Sequence, residues 1–124
     1  MVVLCVDDHP ILLYALKNSA QRALPDSVVY AFKKADEAIV CARKHGCDVL
    51  LCEIELYDQS GMLLAEEIQR VNPRVNIIFV TVCSEKEHAR EVMRLKPSGY
   101  LTKPATREQI ARELRELRYP VAEA

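Results

Sequence analysis

The sequence predicts an α/β domain in three layers: a doubly wound sheet of five parallel strands with helices on both faces, in (βα)5 order. Three observations lead there. Apolar runs alternate with stretches of helical period along the chain, the pattern of strands joined by crossover helices. The middle runs, DVLLCEI from Asp48 and VNIIFVTV from Val75 to Val82, lack polar alternation, as strands covered on both faces do. With 124 residues, 50% of them hydrophobic, the chain has the size and composition of one domain around one core.

Each element has its own local reason. VVLCV, Val2 to Val6, is the first strand, stopped by Asp7 and Asp8. Pro10 stands where a first helical turn tolerates a missing N–H, and Leu13, Leu16, Ala20 and Leu24 share a face that Pro25 ends. Ser27 to Phe32 is a second strand, and Ala35, Ala38, Ile39 and Ala42 mark a helix closed by Gly46. Glu53 lies at the end of the third strand. After the turn Tyr57 to Gly61, Leu64, Ala65, Ile68 and Val71 form a third helical face that Asn72-Pro73 closes. Ser84 and Glu87 have the spacing of a capping box, predicting a fourth helix from Ser84 through Met93. Pro97-Ser98-Gly99 leads into a short strand from Tyr100 to Thr102, and Ile110, Leu114 and Leu117 mark a fifth helix that stops before Pro120. The domain is thus expected over 1–118, with 119–124 as a tail and the start of a linker to an output domain.

Charge removes several function classes. Seventeen Lys and Arg against 18 Asp and Glu leave a net charge of −1, which offers no electrostatic footprint for nucleic acid or an anionic membrane. No apolar run approaches the ~20 residues of a membrane span. The 5 cysteines, Cys5, Cys41, Cys47, Cys52 and Cys83, have no CxxC pair, and His9, His45 and His88 are scattered, so the spacing argues against a zinc site. The cysteines read as small buried hydrophobes. Their odd number and the absence of a signal-type opening segment point to a reducing, cytoplasmic setting.

In an open parallel sheet, the carboxyl ends of the strands meet at one edge, and ligands bind there. That edge should gather Asp7 and Asp8 after strand one, Glu53 after strand three, Thr81 in strand four and Lys103 after strand five. Crowded carboxylates repel one another, and a nearby amine or a hard divalent cation relieves the cost. Taken alone, the Asp7-Asp8 pair also reads as an acidic cap for the first helix.

VVLCVDDHP, DVLLCEIELYDQSG, IIFVTV and GYLTKP, in that order on those strand ends, resemble the receiver domain of two-component response regulators over essentially the whole chain. The resemblance implies the flavodoxin-like fold and a cytoplasmic signalling role. It also implies Mg²⁺ held by Asp7, Asp8, the acid at position 53 and the carbonyl of Glu55, with a histidine kinase as phosphoryl donor. Thr81 takes the place of the switch hydroxyl, Tyr100 that of the switch aromatic, and Lys103-Pro104 that of the lysine with its cis proline. The phosphoacceptor aspartate is replaced by Glu53, and Asp58, in the following loop, is a poor substitute.

An extra methylene displaces the acceptor oxygen by about one bond length, and misplacement of ~1 Å can cost on the order of a hundredfold in rate. Glu53 instead carries a negative charge toward the place of phosphoryl oxygens, within reach of Lys103 and Thr81. It has two oxygens and one charge where a phosphoryl group has three oxygens and about −1.5 to −2, so the mimicry is partial. Two outcomes are open: an active-like state with Thr81 drawn in and Tyr100 turned inward, or a Glu53–Lys103 pair that neutralises the site. Val82 after the hydroxyl and Tyr57 in the strand-three loop depart further from the receiver pattern. The expected function is a noncatalytic pseudo-receiver. The rival readings are a working Mg²⁺-dependent phosphoacceptor and a flavin or nucleotide binder, the last lacking a Gly-rich phosphate loop.

Helix five carries Glu108, Arg112 and Glu116 at i, i+4 spacing, and the run Glu85 to Arg90 is charged. By the resemblance, the fourth helix, fifth strand and fifth helix form a surface for a homodimer or an output domain, and mixed charge suits a symmetric pair. The ending LTKPATREQIARELRELRYPV is similar to that of receivers followed by a DNA-binding domain.

Overall fold

The computed structural model describes residues 1–121. Five strands form one parallel sheet: β1 Val2–Val6, β2 Val28–Phe32, β3 Val49–Cys52, β4 Asn76–Thr81 and β5 Gly99–Thr102. Their order is β2-β1-β3-β4-β5, so the chain reverses direction across the sheet between β1 and β3. The helices are α1 Pro10–Ala23, α2 Ala35–His45, α3 Gly61–Val71, α4 Ala89–Leu95 and α5 Arg107–Arg115. The predicted class and element order are those observed.

The pleat sorts the core into two layers. Leu4, Val6, Leu50, Cys52, Ile77 and Phe79 face α2, α3 and α4, while Val3, Cys5, Val49, Leu51, Ile78 and Val80 face α1 and α5. Alternate residues of one strand point to opposite faces, so continuous apolar runs supply both layers. Each such side chain contributes roughly 1.5–3 kcal/mol on full burial. All five cysteines are buried and unpaired, as small core residues. No helix among the described residues is long and apolar enough to cross a membrane.

Several local expectations are corrected. Ser84 makes no side-chain cap. Its carbonyl accepts the Glu87 N–H at 3.1 Å, closing a 3-10 turn over Glu85–His88, and α4 begins only at Ala89. The Cys83 amide and carbonyl just before it are already engaged, by Thr81 Oγ1 and the Tyr100 hydroxyl, which fixes the entry differently from a capping box. The box forms instead on α5: Thr106 Oγ1 accepts from Gln109 N, and Gln109 Oε1 accepts from Thr106 N. α5 stops at Arg115, and Leu117 packs on the core beyond it. The i, i+4 charges Glu108, Arg112 and Glu116 form no ion pair among the described residues. Tyr119, expected to open a tail, is held by its backbone: its N–H donates to Asn76 Oδ1 at 2.7 Å and its carbonyl accepts from Asn76 Nδ2 at 2.8 Å. The end of that tail, 122–124, lies outside the described residues.

Candidate functional site at the carboxyl edge of the sheet

β1 and β3 lie side by side in parallel register, Val6 opposite Cys52. The residues that follow them, Asp7 and Glu53, therefore leave the sheet together. Both are buried, at 0% and 1% exposure. β5 delivers Lys103 to the same place, its N–H donating to the Thr81 carbonyl at 2.7 Å, and the Lys103–Pro104 peptide is cis, as the resemblance implied. The Lys103 ammonium bridges the two acids, 2.7 Å from Asp7 Oδ2 and 3.0 Å from Glu53 Oε1. Burial alone would lower the Lys103 pKa, but hydrogen bonds and charge from Asp7 and Glu53 outweigh it and raise the pKa above the ordinary value.

Glu53 is further held by backbone. Its Oε2 accepts from Ile54 N at 2.7 Å and its Oε1 from Val82 N at 3.4 Å. Gly61 makes room for this turn. Its N–H donates to the Ile54 carbonyl at 2.7 Å, and a Cβ there would run into the Glu53 carbonyl. Only glycine lets α3 start this close to the end of β3. The spacing of residues 53 and 61 is thus a packing requirement.

Thr81 is buried, and its hydroxyl accepts from Cys83 N at 3.1 Å. It has no hydrogen bond to Glu53 among the described residues, so of the two contacts expected for Glu53, the one to Lys103 is made. Tyr100 packs on Phe79, ring centroids 6.0 Å apart, and its hydroxyl donates to the Cys83 carbonyl at 2.8 Å. Burial first, then the negative groups at Cys83, Glu85 and Glu53, push its phenol up to about 12, which keeps it a donor. Thr81 and Tyr100 thus meet at Cys83.

Asp8 turns toward solvent, with its Oδ1 buried and without a hydrogen bond although 3.1 Å from His9 Nδ1. The same His9 nitrogen is 3.1 Å from Asp7 Oδ1, which also accepts from His9 N at 2.9 Å. Asp7 therefore shapes the turn into α1 as well as holding Lys103, and α1 has no side-chain cap. Asp7, Asp8 and His9 offer ligand atoms within 4.8 Å of one another. The buried Asp7 carboxylate and the half-buried Asp8 with its orphaned oxygen fit a hard cation.

Glu55 is exposed and bridges to Ser60 across the loop. Asp58 is committed elsewhere: its carboxylate accepts the Ala35 N–H at 3.0 Å and so caps α2, whose own N-cap position, Lys34, provides no side-chain cap. Tyr57 is 96% exposed. Val82 is exposed and, with Leu12, Leu16 and Pro104, lines an apolar groove of about 380 Å³ that opens over Asp7 and Lys103. Sequence reasoning missed His9, Cys83 and the Val82 amide. His9 was legible, since it directly follows the acid pair; backbone amides carry no residue signal.

Comparisons with known proteins agree with this geometry. The profile of the response regulator receiver domain matches residues 3–115. Response regulator GacA of Pseudomonas aeruginosa is 27% identical over 119 residues, covering 93% of this chain and 54% of that protein. Response regulator UvrY of Escherichia coli is 26% identical over 115 residues, 93% of this chain and 53% of that protein. The chain spans about half the length of these curated relatives. A CheY-like receiver domain protein from Methanospirillum hungatei superposes with a TM-score of 0.84 at 22% identity, covering 93% of this chain and 90% of the other. The chain belongs to the response regulator receiver domain family.

Proposed function

We propose that this domain is a receiver whose output state does not depend on phosphorylation, with Glu53 as a fixed partial stand-in for an acyl phosphate. The observation that carries the reading is the Glu53 carboxylate itself, buried and accepting from Lys103 Nζ, Val82 N and Ile54 N. A carboxylate engaged by three donors keeps about one of its roughly four lone-pair sites for attack on phosphorus. Phosphoryl transfer depends on positioning, and these bonds point the oxygens at donors.

The bonds also continue outward. Glu53 holds the Val82 amide, Thr81 holds the next amide, and Tyr100 closes on the Cys83 carbonyl. Tyr100 turned inward belongs to the active-like arrangement, and the Glu53 bond to the Val82 amide, not its pair with Lys103, is the contact that leads toward it. A hard divalent cation such as Mg²⁺, held by Asp7, Asp8 and the Glu55 carbonyl, would supply positive charge beside the buried acids. Glu53, whose Oε2 accepts only the Ile54 N–H, is the further candidate for that set.

The surface of α4, β5 and α5 is the proposed contact with a second copy or an attached DNA-binding output domain. Glu108, Arg112 and Glu116 have no ion-pair partner among the described residues, and Met93 is 77% exposed, so charged and apolar groups are both available there. A histidine kinase would then be dispensable for the state of the domain.

Incubation with acetyl phosphate and Mg²⁺, followed by intact mass, tests the reading. The parent is expected to gain no phosphoryl mass and Glu53→Asp to gain one. A stable phosphoryl adduct on the parent would overturn it.

A further inference from the structure

We infer that the segment joining β4 to α4 carries a separate site for a thiophilic divalent cation such as Zn²⁺, formed by the Cys83 sulfur, the Glu87 carboxylate and the His88 imidazole. One ligand atom from each lies within 4.8 Å of the others. Cys83 is 3% exposed, whereas Glu87 is exposed and His88 half-buried, so the three run from the protein interior to solvent. Among the described residues neither the Glu87 carboxylate nor the His88 ring has a hydrogen-bond or ion-pair partner, leaving both free to bind.

Sequence spacing argued against zinc because it looks for paired cysteines. The 3-10 turn supplies the convergence that spacing missed. Closed by the Glu87 N–H on the Ser84 carbonyl, it brings residues 87 and 88 back over Cys83. Sulfur and imidazole select a borderline-soft metal over Mg²⁺ or Ca²⁺. Three protein ligands leave a fourth tetrahedral position for water. Ligand atoms around tetrahedral zinc stand roughly 3.3–3.8 Å apart, from bond lengths of about 2.0 and 2.3 Å, so closure asks ~1 Å of movement. Glu87 and His88 are solvent-accessible enough to make it.

The Tyr100 hydroxyl donates to the Cys83 carbonyl, so metal at this site would fix the acceptor of that bond. Binding itself is independent of what Glu53 does. Co²⁺ titration of the purified protein tests it through thiolate-to-cobalt charge-transfer absorption. One equivalent should produce the band and Zn²⁺ should displace it. Glu87→Gln and His88→Gln should each weaken it by more than about tenfold, the lower end of what loss of even an outer-shell partner costs. Asp8→Asn should leave it unchanged, separating this site from the acid pair. Absence of the band, or a band of parental affinity in both Glu87→Gln and His88→Gln, would overturn the site. Those variants alter solvent-accessible side chains, so the test survives if Cys83→Ser fails to fold.

Discussion

The two ends of the sheet bury polar groups in opposite ways. At the amino edge, Asn76 is fully buried and trades hydrogen bonds in both directions with the backbone of Tyr119, while the Asp48 carboxylate accepts the Val2 N–H at 2.7 Å. Donor meets acceptor and the set closes on itself. At the carboxyl edge, Asp7 and Glu53 share one ammonium, from Lys103, and beside them Asp8 Oδ1 is left without a hydrogen bond. Pairings closed on themselves fasten the fold. A surplus of buried negative charge costs stability unless it is compensated, and it marks where a cation or a charged group is meant to act.

The comparison breaks most sharply at Lys103. Lys103→Met leaves Asp7 and Glu53 buried without their cation, and breaking such a group should cost about 3–5 kcal/mol, read by urea denaturation at neutral pH. The sign with pH follows from the raised Lys103 pKa. The folded state holds this proton more tightly than the unfolded one, so the contribution is complete below the ordinary lysine pKa and declines as pH rises through the folded value. Lys103→Met should therefore lose part of the parent's alkaline decline. A cost no larger than that of an amino-edge substitution would mean that charge does not dominate the carboxyl edge.

The amino edge gives the next effect. Asn76→Ala removes both partners of the Tyr119 backbone and should cost about 1–3 kcal/mol, with no dependence on pH below the alkaline range because no titrating group is removed. Amide exchange should rise at Tyr119. If Tyr119 stays protected, the reciprocal bonds are not what holds the chain after α5.

This contrast was only half visible in the sequence. The carboxyl-edge residues could be placed because strand ends are written in the apolar pattern and because acids, a hydroxyl and a lysine following strands have few other reasons to converge. Asn76 gave no such signal; at the start of an apolar run it reads as a strand boundary, and its partner is forty-three residues away. The Ser84-x-x-Glu87 pattern misled for the same physical reason. Capping boxes are local, but the chain at Cys83 answers to Thr81 and Tyr100 first. Asp58 was recognised as a loop acid, yet its cap on Ala35 crosses from one βα loop to another, beyond any local rule. The anchoring of Tyr119 was equally silent, because Pro120 bars a helix from running past it and says nothing about backbone held by another strand.

Tyr100→Phe is the smallest change and the one that separates latch from scaffold. It deletes one hydroxyl and keeps the ring on Phe79, so the loss should be about 0.5–1.5 kcal/mol, that of a single hydrogen bond, because the freed Cys83 carbonyl lies beside a segment open to solvent at Ser84 and Glu85. Its pH dependence is specific. The phenol is pushed from 10.0 to about 12, so between those values the folded state keeps a proton that the unfolded state has released, and Tyr100's contribution falls as pH rises through that window. The stability gap between parent and Tyr100→Phe should therefore be widest below pH 10 and narrow toward 12, while the decline due to Lys103 persists in both proteins. A gap constant across that range would mean that the phenol is not buried among negative groups, and a loss below about 0.5 kcal/mol at neutral pH would mean that the bond to Cys83 holds nothing, so that the path from Glu53 through Val82 to Tyr100 would end one residue short of the surface it is proposed to control.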